Sequence, residues 1–259
     1  MVIKTLPAGA GLTWLRDAMK LYRRQPFAFT ALVILYTMTV SLLAYLPFIG
    51  LPLAAVLVPF GTIALTLAGR DAERGTMPMP SLMLEPFRNA PQRKVLAKLG
   101  FINATMVLVL VLVISIFAAD NLANWKIVEG KIDTASAGQN FPWDAIVIAA
   151  VLYVPILMAT WFAPYLIAWH GQPIGKAMFF SFFACWRNRW PFLTMTAALF
   201  ALSLAVVFIA TQALQVFTSS PQLASMLFAP VVLVLISIGY ATQYPIDRSL
   251  IETPDKAPD

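Results

Sequence analysis

Long apolar runs separated by clusters of charge are the main feature of the amino-acid sequence. Four runs contain no Asp, Glu, Lys or Arg, at residues 27–69, 99–119, 145–175 and 190–246. A helix needs about 20 predominantly apolar residues to cross a bilayer. The second and third runs therefore predict one crossing each, whereas the first and last runs are each long enough for two.

Proline, glycine and small polar residues divide the two longest runs, because they interrupt helices. The first run breaks at residues 46–52 (LPFIGLP) and the last at residues 218–221 (TSSP). The fold class is therefore an all-α, polytopic membrane protein with six transmembrane helices in three hairpins. A re-entrant pair in place of the first two spans is the alternative. The predicted spans lie near residues 27–46, 51–69, 99–118, 145–168, 192–217 and 222–244, followed by a cytoplasmic tail at residues 245–259.

An amphipathic segment within residues 1–26 precedes the first span. Pro26 ends it and turns the chain into the bilayer. Such a helix lies along the cytoplasmic membrane surface or packs on its own transmembrane helices, and the two interpretations are compatible. Its two faces at helical spacing are Leu12, Leu15, Met19 and Tyr22 on the apolar side and Arg16, Lys20 and Arg23 on the basic side.

A comparable arrangement recurs twice. The aromatic segment at residues 173–190 ends in Arg187 and Arg189, and the basic segment at residues 78–98 precedes the third span. We interpret the chain as three units of one orientation, each a cytoplasmic interfacial segment followed by a hairpin. This pattern differs from the inverted repeats of many secondary transporters.

Composition supports a membrane protein and excludes several other classes. Hydrophobic residues make up 60% of the 259 residues and charged residues 12%, with a mean hydropathy of +0.78. Globular proteins carry about 25% charged residues, so this surface suits lipid better than water. Cys185 is the only cysteine, which excludes a disulfide scaffold.

Charge placement predicts the orientation of the protein. Lys126 and Lys131 lie in the loop between the third and fourth spans, and the other sixteen of the 18 Lys and Arg lie on the opposite side. The positive-inside rule then places both termini in the cytoplasm. We interpret the net charge of +6 as topology and contact with anionic lipids, not as nucleic-acid binding. The predicted contacts to lipid phosphates are Arg16, Lys20, Arg23, Arg24, Arg187 and Arg189.

Three short motifs carry a family resemblance. They are Trp-Leu-x-x-Ala with Arg-Arg-x-Pro-Phe at residues 14–27, Phe-Ala-Pro at residues 162–164, and Ala-Cys-x-x-Asn-x-x-Pro-Phe at residues 184–192. Together they resemble a family of uncharacterised proteobacterial, mainly betaproteobacterial, inner-membrane proteins. The resemblance covers most of the chain and implies a location in the bacterial inner membrane without an established activity. The pattern of hairpins is also similar to the membrane domain of some glycerophosphodiester phosphodiesterases.

No residue pattern indicates an active site, a cofactor or a metal. His170 stands at the cytoplasmic end of the fourth span, and Cys185 lies on the same side of the membrane. We interpret the acids of the second cytoplasmic loop, Asp71, Glu73 and Glu85, as ion-pair partners of its cations. The sequence therefore predicts no catalytic, cofactor-binding or metal-binding residues. Clustering of His170 with these acids would favour a membrane enzyme.

Prolines and neutral polar side chains remain inside the spans. Pro59, Pro155, Pro164 and Pro230 each remove a helical hydrogen bond, either in ordinary kinked packing or around a cavity. Polar groups that can line such a cavity are Thr62, Thr66, Asn103, Thr105, Thr160, Thr211, Gln212 and Gln215, and we take Asn103, Thr160 and Gln212 as the main candidates.

The sequence favours a non-enzymatic inner-membrane protein that contacts lipid or organises a protein partner of unknown identity. Basic amphipathic segments without a buried charge or a catalytic set motivate this prediction. The alternative is a transporter or flippase for an apolar or amphiphilic small molecule. A cavity that reaches Asn103, Thr160 or Gln212 would distinguish the two.

Overall fold

The computed structural model describes residues 3–128, 130–217 and 221–251, and the side chains of residues 214–225 are not described. This part of the chain is almost entirely helical, as predicted. The helices are α1 (Ala10–Arg24), α2 (Pro26–Ala44), α3 (Gly50–Glu73), a 3-10 helix (Pro80–Met83), α4 (Glu85–Arg88), α5 (Ala90–Phe117), α6 (Ala119–Ala123), α7 (Thr134–Gln139), α8 (Trp143–Trp161), α9 (Ala163–His170), α10 (Ile174–Arg187), α11 (Arg189–Phe217), α12 (Pro221–Ala241) and α13 (Gln243–Leu250); β1 (Ile127–Val128) and β2 (Lys131–Ile132) form a small antiparallel hairpin.

Six helical segments of the described chain are long and apolar enough to cross a membrane. This confirms the predicted fold class of six transmembrane helices. Each of α2 and α3 is long enough for a full crossing, and the expected turn lies between Ala44 and Gly50. The grouping into three hairpins with interfacial segments stays a prediction. The six segments are Pro26–Ala44, Gly50–Glu73, Ala90–Phe117, Trp143–His170, Arg189–Ala213 and Met226–Leu250.

Several helix bounds differ from those expected from apolarity. Helix α5 begins at Ala90, ahead of residue 99, because charged residues extend a helix beyond its apolar part. The fourth span is divided at Phe162 into α8 and α9. Residues 245–251, expected in a cytoplasmic tail, belong mostly to α13, whose Ile246 and Leu250 are fully buried. The predicted turn at residues 218–220 and the tail from residue 252 lie outside the described residues.

Helix α3 forms the centre of the bundle. It packs against α2, α5, α9 and α13, and small residues along its length let these helices approach closely. A Cβ atom on Gly100 of α5 would meet the backbone carbonyl of Val56, and one on Gly69 would meet the side chain of Tyr244. The transmembrane bundle is therefore assembled around α3.

Helix α1 packs one face against protein, and this face differs from the predicted apolar side: of that set only Leu15 is buried, whereas Leu12 is 55% exposed. Trp14, Leu15, Ala18 and Leu21 are buried where α1 packs on α11 and α12. The indole nitrogen of Trp14 donates to the hydroxyl of Ser249 at 2.7 Å, which ties α1 to α13. Packing on its own transmembrane helices, one of the two compatible interpretations of the amphipathic segment, is observed for this buried face. The position of α1 along the membrane surface stays a prediction.

The three proposed units are unequal in the structure. Helices α1 and α10 precede α2 and α11 in comparable ways. An exposed aromatic stripe of Phe179, Phe183 and Trp186 on α10 continues to Trp190 at the start of α11. The segment before α5 forms only a four-residue 3-10 helix and the four-residue α4. These short helices, the ends of α3 and α9, and helices α1, α10 and α13 meet at one end of the bundle, which we call the basic end.

Candidate functional site

A cleft of about 610 Å³ opens within the transmembrane bundle. Its walls come from α2, α3, α5, the α8–α9 segment, α12 and the first residue of α13. Most of the lining is apolar, and Asn103 and Thr160 lie in it as two of the polar groups. The other polar side chains at its surface are Tyr36, Thr37, Ser41, Thr62, Trp161, Tyr240 and Gln243.

Asn103 bridges α5 to α3 at a proline. Its amide nitrogen donates to the carbonyl oxygen of Ala55 at 3.0 Å. In a regular helix that carbonyl would accept from the residue four positions later, which is Pro59 and has no N–H. Asn103 therefore supplies the donor that Pro59 removes, and this explains a polar amide at membrane depth.

The threonine hydroxyls of the cleft donate within their own helices. Thr160 donates to the carbonyl of Ile156 at 2.9 Å, and Thr62 donates to that of Val58 at 3.0 Å. Each hydroxyl oxygen keeps acceptor capacity after its proton is used. The cleft thus presents acceptors set among apolar side chains.

Two tyrosines form one wall of the cleft because a glycine makes room for them. The rings of Tyr36 and Tyr240 meet edge to face with centroids 5.7 Å apart. A Cβ atom on Gly61 of α3 would collide with the Tyr36 ring. The absence of a side chain at Gly61 therefore allows this aromatic ring to lie on α3.

A serine hydroxyl from α10 is inserted into the break between α8 and α9. The N–H of Phe162 donates to Ser181 Oγ at 2.9 Å, and Ser181 Oγ donates to the Met158 carbonyl at 2.7 Å. In an unbroken helix Phe162 would bond Met158 directly. This insertion and the missing N–H of Pro164 account for the break, whose residues Thr160, Trp161 and Pro164 face the cleft.

The six predicted phosphate-contacting cations are exposed and fall into two groups. On α1, Lys20 pairs with Asp17 at 3.1 Å, and Arg24 donates to the carbonyl of Glu73 at 2.7 Å. At the junction of α10 and α11, the Arg189 guanidinium lies 5.7 Å from each of two tryptophan ring centroids. The first group is Arg16, Lys20, Arg23 and Arg24, and the second is Arg187 and Arg189; the stacked rings are Trp186 and Trp190.

Comparison with known proteins decides the family. A probable inner membrane protein of Burkholderia thailandensis is 32% identical to this chain over 261 aligned residues, which cover 96% of this chain and 93% of the relative. The chain belongs to this family of inner-membrane proteins. With six membrane-crossing helices it is a multi-pass inner-membrane protein, and the resemblance drawn from the short motifs is confirmed. No family model matches the chain, and no solved structure matches it at a significant level.

The fold of this inner-membrane protein buries a carboxyl group, so the expectation that no ionisable acid is buried in the spans was wrong. Asp247 of α13 is fully buried and accepts from the Thr66 hydroxyl at 3.2 Å. Its other oxygen has no hydrogen-bond partner within the described part of the chain. Asp247 follows directly after a charge-free run, and the pairing of Ile246 with Leu250 at i, i+4 was the available signal that the helical face continues.

The remaining candidate residues are dispersed. Gln212 is exposed near the far end of α11 and does not line the cleft. Glu73 bonds Tyr244 and Arg248 of α13. Asp71 pairs with Arg70 within α3, and Glu85 pairs with Arg88 within α4. Among the described residues no group of three His, Cys, Asp or Glu side chains is placed to hold a metal ion.

Proposed function

We propose that this protein is a non-enzymatic membrane component that binds an amphiphilic lipid molecule in the cleft. The observation that carries the proposal is the position of the cleft between transmembrane helices, with hydroxyl oxygens among apolar walls. Polar groups are costly in the hydrocarbon region unless protein, water or a ligand satisfies them. An amphiphile satisfies both parts of such a lining.

The exposed cations support contact with lipid headgroups. We propose that both termini are cytoplasmic, so that the basic end faces the anionic leaflet. The exposed aromatic stripe of α10 then lies at the headgroup level, where tryptophan is favoured. Arg187 and Arg189 next to Trp186 and Trp190 would contact phosphates, as would the four cations of α1.

Removal of two cleft hydroxyls tests the proposal. Thr62→Val and Thr160→Val together delete hydroxyls that bond only carbonyls of their own helices, so the fold is retained. The matched control is Thr105→Val with Thr211→Val, whose hydroxyls make the same kind of bond away from the cleft.

Binding is measured by native mass spectrometry of the purified full-length protein released from nanodiscs of defined phospholipid composition. We expect the cleft variant to lose about tenfold in retained lipid and the control to match the wild type. Equal lipid retention in the two variants would refute binding in the cleft.

Transport of the bound molecule is a second candidate function. It is favoured by the break between α8 and α9 at the cleft, since broken helices line substrate paths in transporters. Pro59, which removes one hydrogen bond within the continuous α3, lies at the same cleft. Reconstituted vesicles carrying a fluorescent phospholipid report transbilayer movement by dithionite quenching. Quenching limited to the outer-leaflet fraction, as in protein-free vesicles, would exclude lipid movement.

A further inference from the structure

A second cavity, of about 620 Å³, lies at the basic end of the bundle. It is bounded by the last turns of α3, the 3-10 helix, α4, the first turn of α5 and Trp169 of α9. The side chain of Gln92 lines it and donates to the Ala168 carbonyl at 3.1 Å, which joins α5 to α9 there. The apolar part of its lining is Ile63, Leu67, Leu82 and Pro86.

The charges of this cavity are balanced. Arg70 and Arg88 line it together with Asp71 and Glu85. Arg88 lies 2.6 Å from Glu85, while the Arg70 guanidinium is 3.4 Å from the Asp71 carboxylate, longer than the usual 2.7–2.9 Å of a charge-assisted bond. The side chains of Arg70 and Asp71 are each 22% exposed, so this pair is partly desolvated and loosely joined.

This arrangement selects between classes of ligand. A simple anion would be attracted by two guanidinium groups and repelled by two carboxylates at similar distances. A ligand that carries both a positive and a negative group can place its negative group on the two arginines and its positive group on the two acids. A tryptophan ring in the wall, that of Trp169, favours an ammonium group further through cation–π attraction.

We propose that this cavity binds a zwitterionic phosphate ester, with its phosphate on Arg70 and Arg88 and its ammonium group on Asp71 and Glu85. Phosphoethanolamine has this chemistry, either as the headgroup of a phospholipid or as a small soluble molecule. The bidentate guanidinium fork suits the phosphate oxygens.

The cavity is separate from the transmembrane cleft. Gln92, Leu99 and Asn103 lie on one face of α5, and Leu96 between them is fully buried. The turn of α5 that carries the buried Leu96 therefore separates the cavity from the cleft along this face. The proposal goes beyond the proposed function, because either site can be occupied without the other.

Headgroup selectivity of the wild-type protein is the first test. The purified full-length protein in detergent is titrated with short-chain phosphatidylethanolamine, short-chain phosphatidylglycerol and soluble phosphoethanolamine, and binding is read by native mass spectrometry. We expect phosphatidylethanolamine or phosphoethanolamine to bind about tenfold more tightly than phosphatidylglycerol. Binding of the soluble ester assigns a soluble source, and binding of the lipid alone assigns a headgroup. Equal binding of the glycerol lipid would overturn the proposal.

Charge variants locate the binding in the cavity. Arg70→Gln with Arg88→Gln should abolish the preference, whereas Arg74→Gln with Lys94→Gln removes two exposed cations outside the cavity and should leave it intact. Unchanged selectivity in the first pair would refute the assignment.

Two further variants separate this proposal from the cleft. Asp71→Asn with Glu85→Gln leaves the two cations and should turn the preference towards phosphatidylglycerol; retention of the original preference would contradict the proposed ammonium contacts. Thr62→Val with Thr160→Val should not change headgroup selectivity. If it does, the two sites are one and the present assignment fails.

Discussion

Replacing Asn103 by leucine removes the donor that compensates for Pro59. The Ala55 carbonyl then lies at membrane depth without its helical partner and without the amide that contacts it at 3.0 Å. Hydrogen bonds between membrane helices contribute about 0.6 kcal/mol on average and up to about 1.7 kcal/mol. An orphaned buried polar group costs about 1–3 kcal/mol. We therefore expect Asn103→Leu to lower the free energy of unfolding by about 1–2 kcal/mol.

A double-mutant cycle tests the stated cause. Pro59→Ala restores a backbone N–H four residues after Ala55, so that α3 satisfies the carbonyl itself. In that background Asn103→Leu should cost about 1 kcal/mol less than in the wild type. The free energy of unfolding is measured by SDS titration of purified protein in mixed micelles, followed by far-ultraviolet circular dichroism. Gln212→Leu, an amide loss on the exposed surface of α11, is the control and should be nearly neutral.

An equal cost of Asn103→Leu in both backgrounds would refute the reasoning. The amide would then act through packing or through a ligand in the cleft, and not through the carbonyl freed by proline. A large effect of Gln212→Leu would show that loss of any amide in this bundle has the same consequence.

Four further predictions follow from single contacts. Ser181→Ala removes two hydrogen bonds at the helix break and should lower the free energy of unfolding in SDS by about 1–3 kcal/mol. The control is Ser237→Ala, because Ser237 is equally buried but bonded within its own helix, and its effect should be less than half as large. Gly100→Ala places a methyl group against a backbone carbonyl of α3 and should lower the free energy of unfolding by about 1–3 kcal/mol in the same assay. A neutral result would show that α5 can shift away from α3 at little cost. Asp247→Asn retains an acceptor for the α3 hydroxyl and replaces a carboxyl whose ionised form is costly to bury with a neutral amide. It should raise the free energy of unfolding at pH 7 by about 1 kcal/mol, and a decrease would indicate an unrecognised cationic partner. Hydrogen bonds from the first turn of α7 lower the pKa of Asp133 below its ordinary 3.8. The contribution of the ionised Asp133 to stability is therefore present above pH 3.8 and is lost as the pH falls through the lowered pKa. NMR shifts of the α7 amides should change in that acidic range and not between pH 5 and 7.

The cleft and the break in the fourth span are coupled by their shared residues. Ser181 of α10 is hydrogen-bonded into the break between α8 and α9. The residues around this break, Thr160, Trp161 and Pro164, line the cleft. A helix with an exposed aromatic and basic surface is thus bonded directly to a wall of the cleft. Ser181→Ala should therefore also change lipid retention in the cleft assay, which distinguishes it from the Ser237 control.

The family and the number of spans follow from local properties of the sequence. Apolarity over about 20 residues is a property of consecutive positions, so six spans could be assigned without knowing any contact. The motifs at residues 14–27, 162–164 and 184–192 are likewise local and were sufficient for the family. Among the polar candidates, Asn103 and Thr160 line the cleft and Gln212 does not, because the rotation of each helix about its axis depends on neighbouring helices.

The sequence by itself determined a helical protein of the inner membrane, because hydropathy and charge clusters act over a single helix length. Only the tertiary structure decided which polar groups meet. The donor for the Ala55 carbonyl comes from a residue 48 positions away, and the partner of Asp247 lies 181 positions away. Such pairs have no periodic signature along the chain. Their geometry depends on how closely small residues let α3 approach its neighbours, and this packing buries Asp247 and shapes the cleft.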